Sequence, residues 1–463
     1  MDASLTAPTL RTPTLMERAC DVQSDVLRLC LPLNRRPLEL LRARKDLSVV
    51  WRSAELECVG FGETYAIEAS GEERYERLES KAENLFRHLQ TIHADGVDAG
   101  RPRLFGGLSF APGTASKDAW AAFGDCRFVL PRLLLIARAD GRSWIELNLG
   151  ASGRDASSIA RALAGAEALA STDPGLSRLP EGEGGPSADL TAEPEDLQEW
   201  TRRIEEIRHA IADGRAEKIV AAREVLAHPR RVDVPSLLAG LSEDMPACLL
   251  FGFVCGDGTF LGASPERLIA RQGTRIRTHA LAGSIRPGTS GQGVQAATLF
   301  DSAKDRSEHR FVVDHLVERL RPWCRELSWP EEPQVQELRN VLHLDSPIVG
   351  ELASPRHVLS LVAALHPTPA VGGVPAELAQ RWITEREPAP RGWYSGPVGW
   401  FDDAGDGDFS VAIRSGLVSE GEVRLYSGAG IVADSEPVSE HDETELKLTP
   451  LRSLLARSEP AVD

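Results

Sequence analysis

The sequence has no CxxC pair among its seven cysteines, which lie far apart at positions 20, 30, 58, 126, 248, 255 and 324. Such an odd and scattered set argues against a zinc cluster and against a disulfide framework. Basic residues are also scarce, because 52 Lys and Arg stand against 69 Asp and Glu for a formal charge of -17. Nucleic acids and anionic membranes attract basic surfaces, so neither is an expected partner.

Long apolar runs are absent as well, and no stretch is long enough to span a bilayer. The start of the chain lacks the charged-then-apolar pattern of a signal peptide. We therefore predict a cytoplasmic protein with reduced cysteines, whose residues 1–15 form a disordered tail.

Three common catalytic motifs are missing from the chain. No GxGxxG precedes a βαβ unit, and the glycine loop GTSGQG (288–293) lacks the lysine of a Walker A motif. No GxSxG elbow is present either. Nucleotide binding and serine hydrolysis of that type are therefore not supported.

The composition divides the chain into two portions around a linker. Residues 171–196 are rich in Gly, Pro and acidic residues, which predicts a linker or long loop. The N-terminal portion, 16–170, mixes α and β signals, including two strands over 128–150. The portion over 197–460 begins with an amphipathic helix ended by Gly214 and continues into strands with short connections. The predicted fold class is α+β, with large antiparallel β-sheets and helices packed outside.

Two ionisable residues stand on predicted strands of the second portion. Lys218 opens a strand over 217–226, and Glu266 follows a Ser-Pro corner in GASPERL (262–268). A desolvated lysine and a buried glutamate that face one another form a general base and a general acid. The plainer interpretations are a lysine that reaches solvent and a glutamate that Arg267 neutralises.

A set of carboxylates lies on two predicted helices. Glu308 lies on a helix over 304–320, and Glu440, Glu443 and Lys447 share one helical stripe further along the chain. Mg²⁺ prefers hard oxygen ligands and leaves positions for water and substrate, so the three glutamates are candidate metal ligands. An exposed ladder of ion pairs is the plainer interpretation of the same spacing.

Several residues near the C-terminus suit a ligand with carboxylate groups. Arg414 lies in a predicted strand and can hold a carboxylate through two hydrogen bonds. Gly428 and Gly430 allow backbone N–H groups to approach a ligand closely, although a β-bulge would also use them. Tyr394 could donate a hydrogen bond or merely pack, and His343 could be an ordinary core histidine.

Ten sequence blocks follow one another over residues 217–447. In order they are KIVAARE, GASPERL, HALAGS, EHRFVVDHL, HLDSPIVGEL, HPTPAVGG, RGWYSGPVGW, FSVAIRS, YSGAGIV and EHDETELK. Together they resemble the chorismate-utilising enzymes, and most closely the isochorismate synthases. RLFGGLSF (103–110) and FVLPRLLL (128–135) resemble the N-terminal portion of the same enzymes, so the resemblance covers most of the chain.

The resemblance implies one α/β unit with large antiparallel sheets, and an isomerase that converts chorismate to isochorismate. In such an enzyme Lys218 would activate water for attack at ring carbon C2, and Glu266 would protonate the hydroxyl that leaves C4. Mg²⁺ is the implied cofactor, held by Glu308 and Glu443, with Glu440 near the ion or bound through water. The implied substrate-binding residues are Gly283, Ser284, His343, Ala370, Tyr394, Arg414, Gly428, Ala429, Gly430 and Lys447.

Two alternatives stay open at this point. A salicylate synthase would also eliminate pyruvate, but Ala370 occupies the position of a threonine seen in those enzymes. A catalytically silent subunit that binds chorismate or a partner is the alternative from another class, and the intact Lys218 and Glu266 argue against it.

The remaining expectations concern partners and pathway. Because water is the implied nucleophile, no glutaminase subunit is expected, and chorismate is the expected small-molecule partner. We expect a monomer or weak homodimer whose product feeds menaquinone or siderophore biosynthesis.

Overall fold

The computed structural model describes residues 12–152, 154–171, 197–229, 232–285, 299–338 and 341–458. The glycine loop at 288–293, and the predicted linker from 172 onward, lie outside the described residues. The predicted tail needs a correction at its end, because the first helix begins at Thr12. Leu15 on that helix is buried in the hydrophobic core, which is why the helix forms there.

The described residues form strands and helices in alternation. The strands are β1 Val26–Pro32, β2 Leu47–Arg52, β3 Leu56–Glu68, β4 Leu89–His93, β5 Arg103–Leu108, β6 Cys126–Arg138, β7 Ser143–Gly150, β8 Lys218–Ala227, β9 Leu249–Cys255, β10 Gly258–Ser264, β11 Arg267–Gln272, β12 Arg275–Ile285, β13 Cys324–Ser328, β14 Gln334–Leu338, β15 Val341–Leu352, β16 Gly373–Val374, β17 Pro397–Asp402, β18 Gly407–Val411, β19 Ser415–Ser419 and β20 Glu422–Ile431. The helices are α1 Thr12–Cys20, α2 Arg74–Arg87, α3 Ala156–Ser171, α4 Leu197–Ala212, α5 Val234–Asp244, α6 Ala303–Leu320, α7 Val358–Leu365, α8 Ala376–Arg386 and α9 Pro437–Ser458.

Strand β6 joins two long arms of one sheet. On one side it pairs with β3, which leads through β2, β9, β10, β19 and β20 to β8 and β16. On its other side it pairs with β5, which leads through β17, β18, β11 and β12 to β15. Among the described strands every pairing is antiparallel apart from β1 with β4. The predicted fold class is therefore confirmed, and both portions of the chain contribute strands to the sheet.

The chain crosses from one arm to the other between β18 and β19. Residues 412–414 make this crossing and leave the extended conformation, because Arg414 has a φ of 53°. The prediction that Arg414 lies within a strand is wrong for this reason. We call the arm that carries β8 and β20 the first arm, and the arm that carries β12 and β15 the second arm.

The helices cover the outside of the arms. Helix α6 packs on β12 and β15 of the second arm, whereas α9 packs on β20 of the first arm and on α4 and α5. Helix α4 follows its predicted pattern, with Trp200, Ile204 and Ile207 buried and Gly214 beyond its end at a φ of 69°. Glu308 on α6 and Glu443 on α9 reach the space between the arms.

No helix in the described ranges is both long enough and apolar enough to cross a membrane. The strands predicted over 128–150 and 217–226 are present as β6, β7 and β8. Their apolar side chains form the core on both sides of the sheet, which fixes the strands from which the site is built.

Candidate active site

A cavity lies between the two arms. Strands β8 and β20 form one side of it, β12 and β15 form the other, and helices α6 and α9 reach its rim. Its lining residues are Val220, Pro265, Glu266, Leu281, Ala282, Gly283, Glu308, His343, Ala370, Val371, Tyr394, Ile413, Arg414, Tyr426, Ser427, Gly428, Gly430, Glu443 and Lys447.

Lys218 is completely buried at the start of β8, so the interpretation that it reaches solvent is wrong. Its Nζ donates a hydrogen bond to Glu308 Oε1 at 2.7 Å. The pair lies directly over Gly430, where an added Cβ would approach Glu308 Oε1 to 2.6 Å and Lys218 Cε to 2.7 Å. Gly430 is therefore needed for close approach of a side-chain ion pair to the strand.

Glu266 lies between β10 and β11 and is only 3% exposed. Its backbone is fixed on both sides, because its N–H donates to Ser264 Oγ at 3.2 Å and its C=O accepts from Val411 N at 3.0 Å. Ser410 Oγ donates to the same carbonyl oxygen. This clamp explains why a Ser-Pro-Glu corner holds a carboxyl group at a constant place in the cavity wall.

Burial raises the pKa of the Glu266 carboxyl from its ordinary 4.5 to about 7, because the charged form loses its water. Smaller opposing effects come from His279, the Thr368 hydroxyl and Lys218. Arg267 does not neutralise Glu266, since it pairs with Asp408 at 2.9 Å instead. The carboxyl is thus protonated below neutral pH, as a general acid must be.

Two of the three predicted metal ligands line the cavity. Glu308 and Glu443 do so from α6 and α9, and Glu443 Oε1 lies 2.7 Å from Lys447 Nζ. Glu440 is buried and is absent from the lining, so the structure does not bring the three carboxylates together at the cavity. Within the described ranges no group of three or more His, Cys, Asp or Glu is arranged around one point.

The remaining pair of carboxylates still suits Mg²⁺. This ion is commonly held by one or two carboxylates and completes its shell with water and substrate oxygens. Both Glu308 and Glu443 already hold a cation, namely the ammonium group of Lys218 or Lys447. A divalent cation between the helices would take the place of those lysine contacts.

Arg414 and His343 form a hydrogen-bonded pair on the cavity wall. His343 Nδ1 lies 3.0 Å from the carbonyl oxygen of Gly283 and must donate to it. Burial, and then Arg414, lower the pKa of His343 to about 3, so its Nε2 is an acceptor at neutral pH. Arg414 Nη2 lies 3.3 Å from that Nε2 and donates to it, which fixes the guanidinium group. The plain interpretation of His343 as an inert core histidine is therefore incomplete.

Strand β8 directs two of its amides away from β20. Val220 N–H donates to the carbonyl oxygen of Gly372 at 2.8 Å, and Ala222 N–H donates to Glu387 Oε1 at 3.0 Å. Successive residues of a strand point their N–H and C=O groups to opposite edges. Ala221, which lies between them, consequently directs its N–H and C=O groups toward β20.

The partner of Ala221 in that register is Ala429. Gly428 and Gly430 flank it, so their N–H groups point to the opposite edge of β20. Lys447 Nζ donates to the carbonyl oxygen of Gly428 on that same edge, at 2.8 Å. The amides of these two glycines therefore face the cavity. Ala429 does not line the cavity, because its side chain packs in a separate apolar cluster.

Four other residues were predicted to bind the substrate. Gly283, with a φ of 73°, and Ala370 both line the cavity. Ser284 lies opposite His343 in the β12–β15 register, but its side chain lies outside the described structure. Tyr394 lines the cavity, and burial raises the pKa of its phenol to about 12, so its hydroxyl stays a donor.

Sequence reasoning missed an arginine behind the cavity. Arg391 and Glu387 form a fully buried ion pair, with Arg391 Nη2 at 2.6 Å from Glu387 Oε1. The same guanidinium group donates to the carbonyl oxygens of Val371 at 2.7 Å and Val220 at 2.9 Å, both of which belong to lining residues. Arg391 belongs to RGWYSGPVGW, and Glu387 stands four positions before it, so the spacing of opposite charges was the available signal.

Two further lining residues were also missed. Tyr426 stacks on Tyr394 with ring centroids 5.2 Å apart, and Ser427 precedes the two cavity glycines. Both belong to the quoted block YSGAGIV, where only the glycines were interpreted. The spacing alone could have placed them on β20, but it does not show that the crossing at residues 412–414 opens the cavity beside them.

Comparison with known proteins finds similarity along nearly the full chain. A model of the family described as chorismate binding enzymes matches residues 23–456. The salicylate biosynthesis isochorismate synthase of Pseudomonas aeruginosa is 34% identical over 428 residues, which cover 91% of this chain and 88% of that protein. The isochorismate synthase MenF of Bacillus subtilis is 36% identical over 388 residues, or 83% and 80% of the two chains.

Solved structures agree with the sequence comparison. The chain matches MenF, the menaquinone-specific isochorismate synthase from Escherichia coli, with a TM-score of 0.74 at 27% identity. That match covers 96% of this chain and 99% of the other. The chain is therefore similar to these proteins in both sequence and fold.

Proposed function

Because this chain belongs to the family of chorismate binding enzymes, we propose that it isomerises chorismate to isochorismate in the cavity between the two arms. The observation that carries the proposal is the placement of a buried acid, Glu266, in one cavity with the carboxylate-binding donors of Arg414, Gly428 and Gly430. The similarity to relatives that are named isochorismate synthases supports the same reaction.

Glu266 is the proposed general acid. Its protonated carboxyl gives a proton to the hydroxyl of ring carbon C4, which leaves as water while the ring double bonds shift. A buried carboxyl is suited to this step because burial keeps it protonated close to neutral pH. The proton that the substrate gains here balances the proton lost by the water that adds at C2.

Lys218 is the proposed general base for that water. Its Nζ contacts Glu308 Oε1 at 2.7 Å, so the proposed base and a proposed metal ligand touch directly. The complete burial of Lys218 confines the amine to one place beside Gly430. We therefore propose that occupation of the Glu308 carboxylate and activation of the base are linked.

The substrate carries two carboxylates, and the cavity must bind them although the whole protein has a formal charge of -17. Arg414 and the amides of Gly428 and Gly430 suit the carboxylate of the pyruvyl side chain, and the neutral Tyr394 hydroxyl adds a donor. Lys447 lies at the rim with its Nζ on the carbonyl oxygen of Gly428. These groups compensate one carboxylate well but leave the other to be compensated.

Glu308 and Glu443 are the proposed ligands of Mg²⁺. Bound there, the ion would supply a Lewis acid to the ring carboxylate and would offset the charge of Glu308. The chain's own contribution is to hold two carboxylates on separate helices, α6 and α9, on either side of the cavity mouth. Glu440 is buried and does not line the cavity, so its proposed place is near the ion or bound to it through water.

The test is a product-resolved assay of the purified protein with chorismate and Mg²⁺. Isochorismate should be the product, and the rate should fall when the metal is removed with a chelator. Release of pyruvate without an added lyase would show a salicylate synthase instead. Binding of chorismate without any product would show a silent subunit, and either result would overturn the proposal.

A further inference from the structure

Thr368 lies in the block HPTPAVGG and is buried beside the cavity without lining it. Its Oγ1 donates a hydrogen bond to Glu266 Oε1 at 3.4 Å. Its carbonyl oxygen accepts from Val371 N at 3.1 Å and from Gly372 N at 2.8 Å, which closes a tight turn. The hydroxyl is therefore presented by a fixed piece of backbone.

That turn is held from behind as well. Arg391 donates to the carbonyl oxygen of Val371, and Val220 N–H on β8 donates to that of Gly372. The strand that carries Lys218 and the turn that carries Thr368 are thus parts of one hydrogen-bonded unit. Movement of the hydroxyl toward or away from Glu266 would break several of these bonds.

The carboxyl of Glu266 depends on this hydroxyl for its orientation. The backbone clamp at Ser264 and Val411 fixes the Cα but leaves the side-chain torsions undetermined. Within the part of the chain that the structure describes, the Thr368 hydroxyl is the one hydrogen-bond partner of that carboxyl group. Oε1 is committed to Thr368, and Oε2 is the oxygen left for the cavity.

We propose that Thr368 is a positioning residue that keeps Oε1 of Glu266 an acceptor, so that the acidic proton resides on Oε2. The catalytic meaning of this arrangement rests on the proposed function. When the C4–O bond breaks, the Oε2–H proton passes to the departing hydroxyl and Glu266 becomes a carboxylate. The hydrogen bond from Thr368 then strengthens, because its acceptor has gained a negative charge.

Removal of the hydroxyl changes the pKa of Glu266 in a direction that a merely structural role would not produce. A donor that stabilises the carboxylate lowers its pKa, so Thr368→Val should raise the pKa of Glu266. A loosened wall would admit water and lower that pKa instead. The other groups that act on Glu266 are His279, Lys218 and Lys447, and the substitution leaves all three in place.

The test is an infrared titration of the metal-free protein without substrate, in which the C=O band of the protonated Glu266 carboxyl is followed against pH. The band that disappears in Glu266→Gln identifies the group. Thr368→Val should titrate at higher pH than the natural protein, and Thr368→Ser should restore the natural value. Thr278→Val is the matched control, because its buried hydroxyl donates to the carbonyl oxygen of Leu268 and not to Glu266.

A second readout is the split between kcat and KM for chorismate. Thr368→Val should lower kcat by about tenfold with KM nearly unchanged, since the proton is misplaced while the binding groups remain. Thr368→Ala supplies a second hydroxyl-free variant if the valine disturbs folding.

An unchanged or lowered pKa of Glu266 in both hydroxyl-free variants would overturn the proposal. Failure of the proposed function would give a different result. The natural protein would then form no isochorismate, while the infrared titration would still show whether Thr368 lowers the pKa of Glu266.

Discussion

The charged residues of the cavity form two groups that differ in exposure. We call Glu266, His343 and Arg414, which lie on strands or their connections, the strand wall, and Glu308, Glu443 and Lys447 on α6 and α9 the helix wall. On the strand wall, Glu266, His343 and Arg414 are each at most 7% exposed, and burial displaces the pKa of Glu266 upward and that of His343 downward. On the helix wall, the side chains of Glu308, Glu443 and Lys447 are 17%, 29% and 18% exposed. The strand wall can therefore set protonation states, whereas the helix wall can exchange one cation for another.

Glu266→Gln breaks the strand wall with the largest expected effect. The amide keeps the shape of the side chain but has no acidic proton, so kcat should fall by about a thousandfold. Chorismate binding should persist, because Arg414 and the glycine amides are untouched. Quenched-flow product analysis and equilibrium binding measure the two quantities, and a variant with near-natural kcat would remove Glu266 from the acid role.

Gly430→Ala should displace the ion pair between Lys218 and Glu308, which lies over this glycine. The added Cβ would approach the flexible ends of Glu308 and Lys218, so the ion pair must shift while the strand stays folded. Displacement of the base by about 1 Å should lower kcat/KM by about a hundredfold. Gly165→Ala on α3 is the matched control, because its Cβ would meet open space, and equal activities of the two variants would contradict the prediction.

Glu308→Gln and Glu443→Gln test the helix wall. Each should raise the Mg²⁺ concentration needed for half-maximal activity by roughly 10- to 100-fold, since each removes a proposed oxygen ligand. Glu440→Gln should change this value much less, because Glu440 does not line the cavity. Magnesium titrations of the three variants measure this concentration, and an effect at Glu440 as large as that at Glu443 would make Glu440 a direct ligand.

The pH profile tests the strand wall without any substitution, and its effect near neutral pH is the smallest of the four. The acid must be protonated to act, and its pKa in the substrate-free protein is raised to about 7, so kcat/KM should fall as pH rises through that value. The decline should approach tenfold for each further pH unit, because the active fraction follows the protonated population. Rates between pH 6 and pH 9 at chorismate concentrations well below KM measure it, and a kcat/KM that rises across this range would contradict the assignment.

The sequence predicted the features that depend on a local pattern or on resemblance to a known family. Trp200 and Ile204 follow a helical period, and Gly214 ends the helix where expected, because these signals act over a few residues. Eleven of the site residues that the resemblance implies also line the cavity, among them Glu266, Arg414 and Gly430. No local pattern could show that Lys218 pairs with Glu308, because the two are 90 positions apart in the chain.

Local periodicity does not settle two further outcomes. Arg414 was predicted to lie in a strand from the alternation around it, yet the chain turns there to change arms. Glu440 shares a helical stripe with Glu443, yet Glu440 is buried while Glu443 lines the cavity, and its place near the ion stays a prediction. In both cases the tertiary packing of one element decides the outcome, and periodicity does not contain that information.

The order in which the strands pair has a consequence for synthesis of the chain. Strand β8 is made early, but its neighbour β20 is among the last strands, and α9 follows it. A nascent chain therefore exposes the edge of β8, with Lys218 upon it, until residues 422–431 have left the ribosome. The cavity is therefore completed late in synthesis, because a chain that ends before β20 lacks Gly428, Gly430 and Glu443 from its lining.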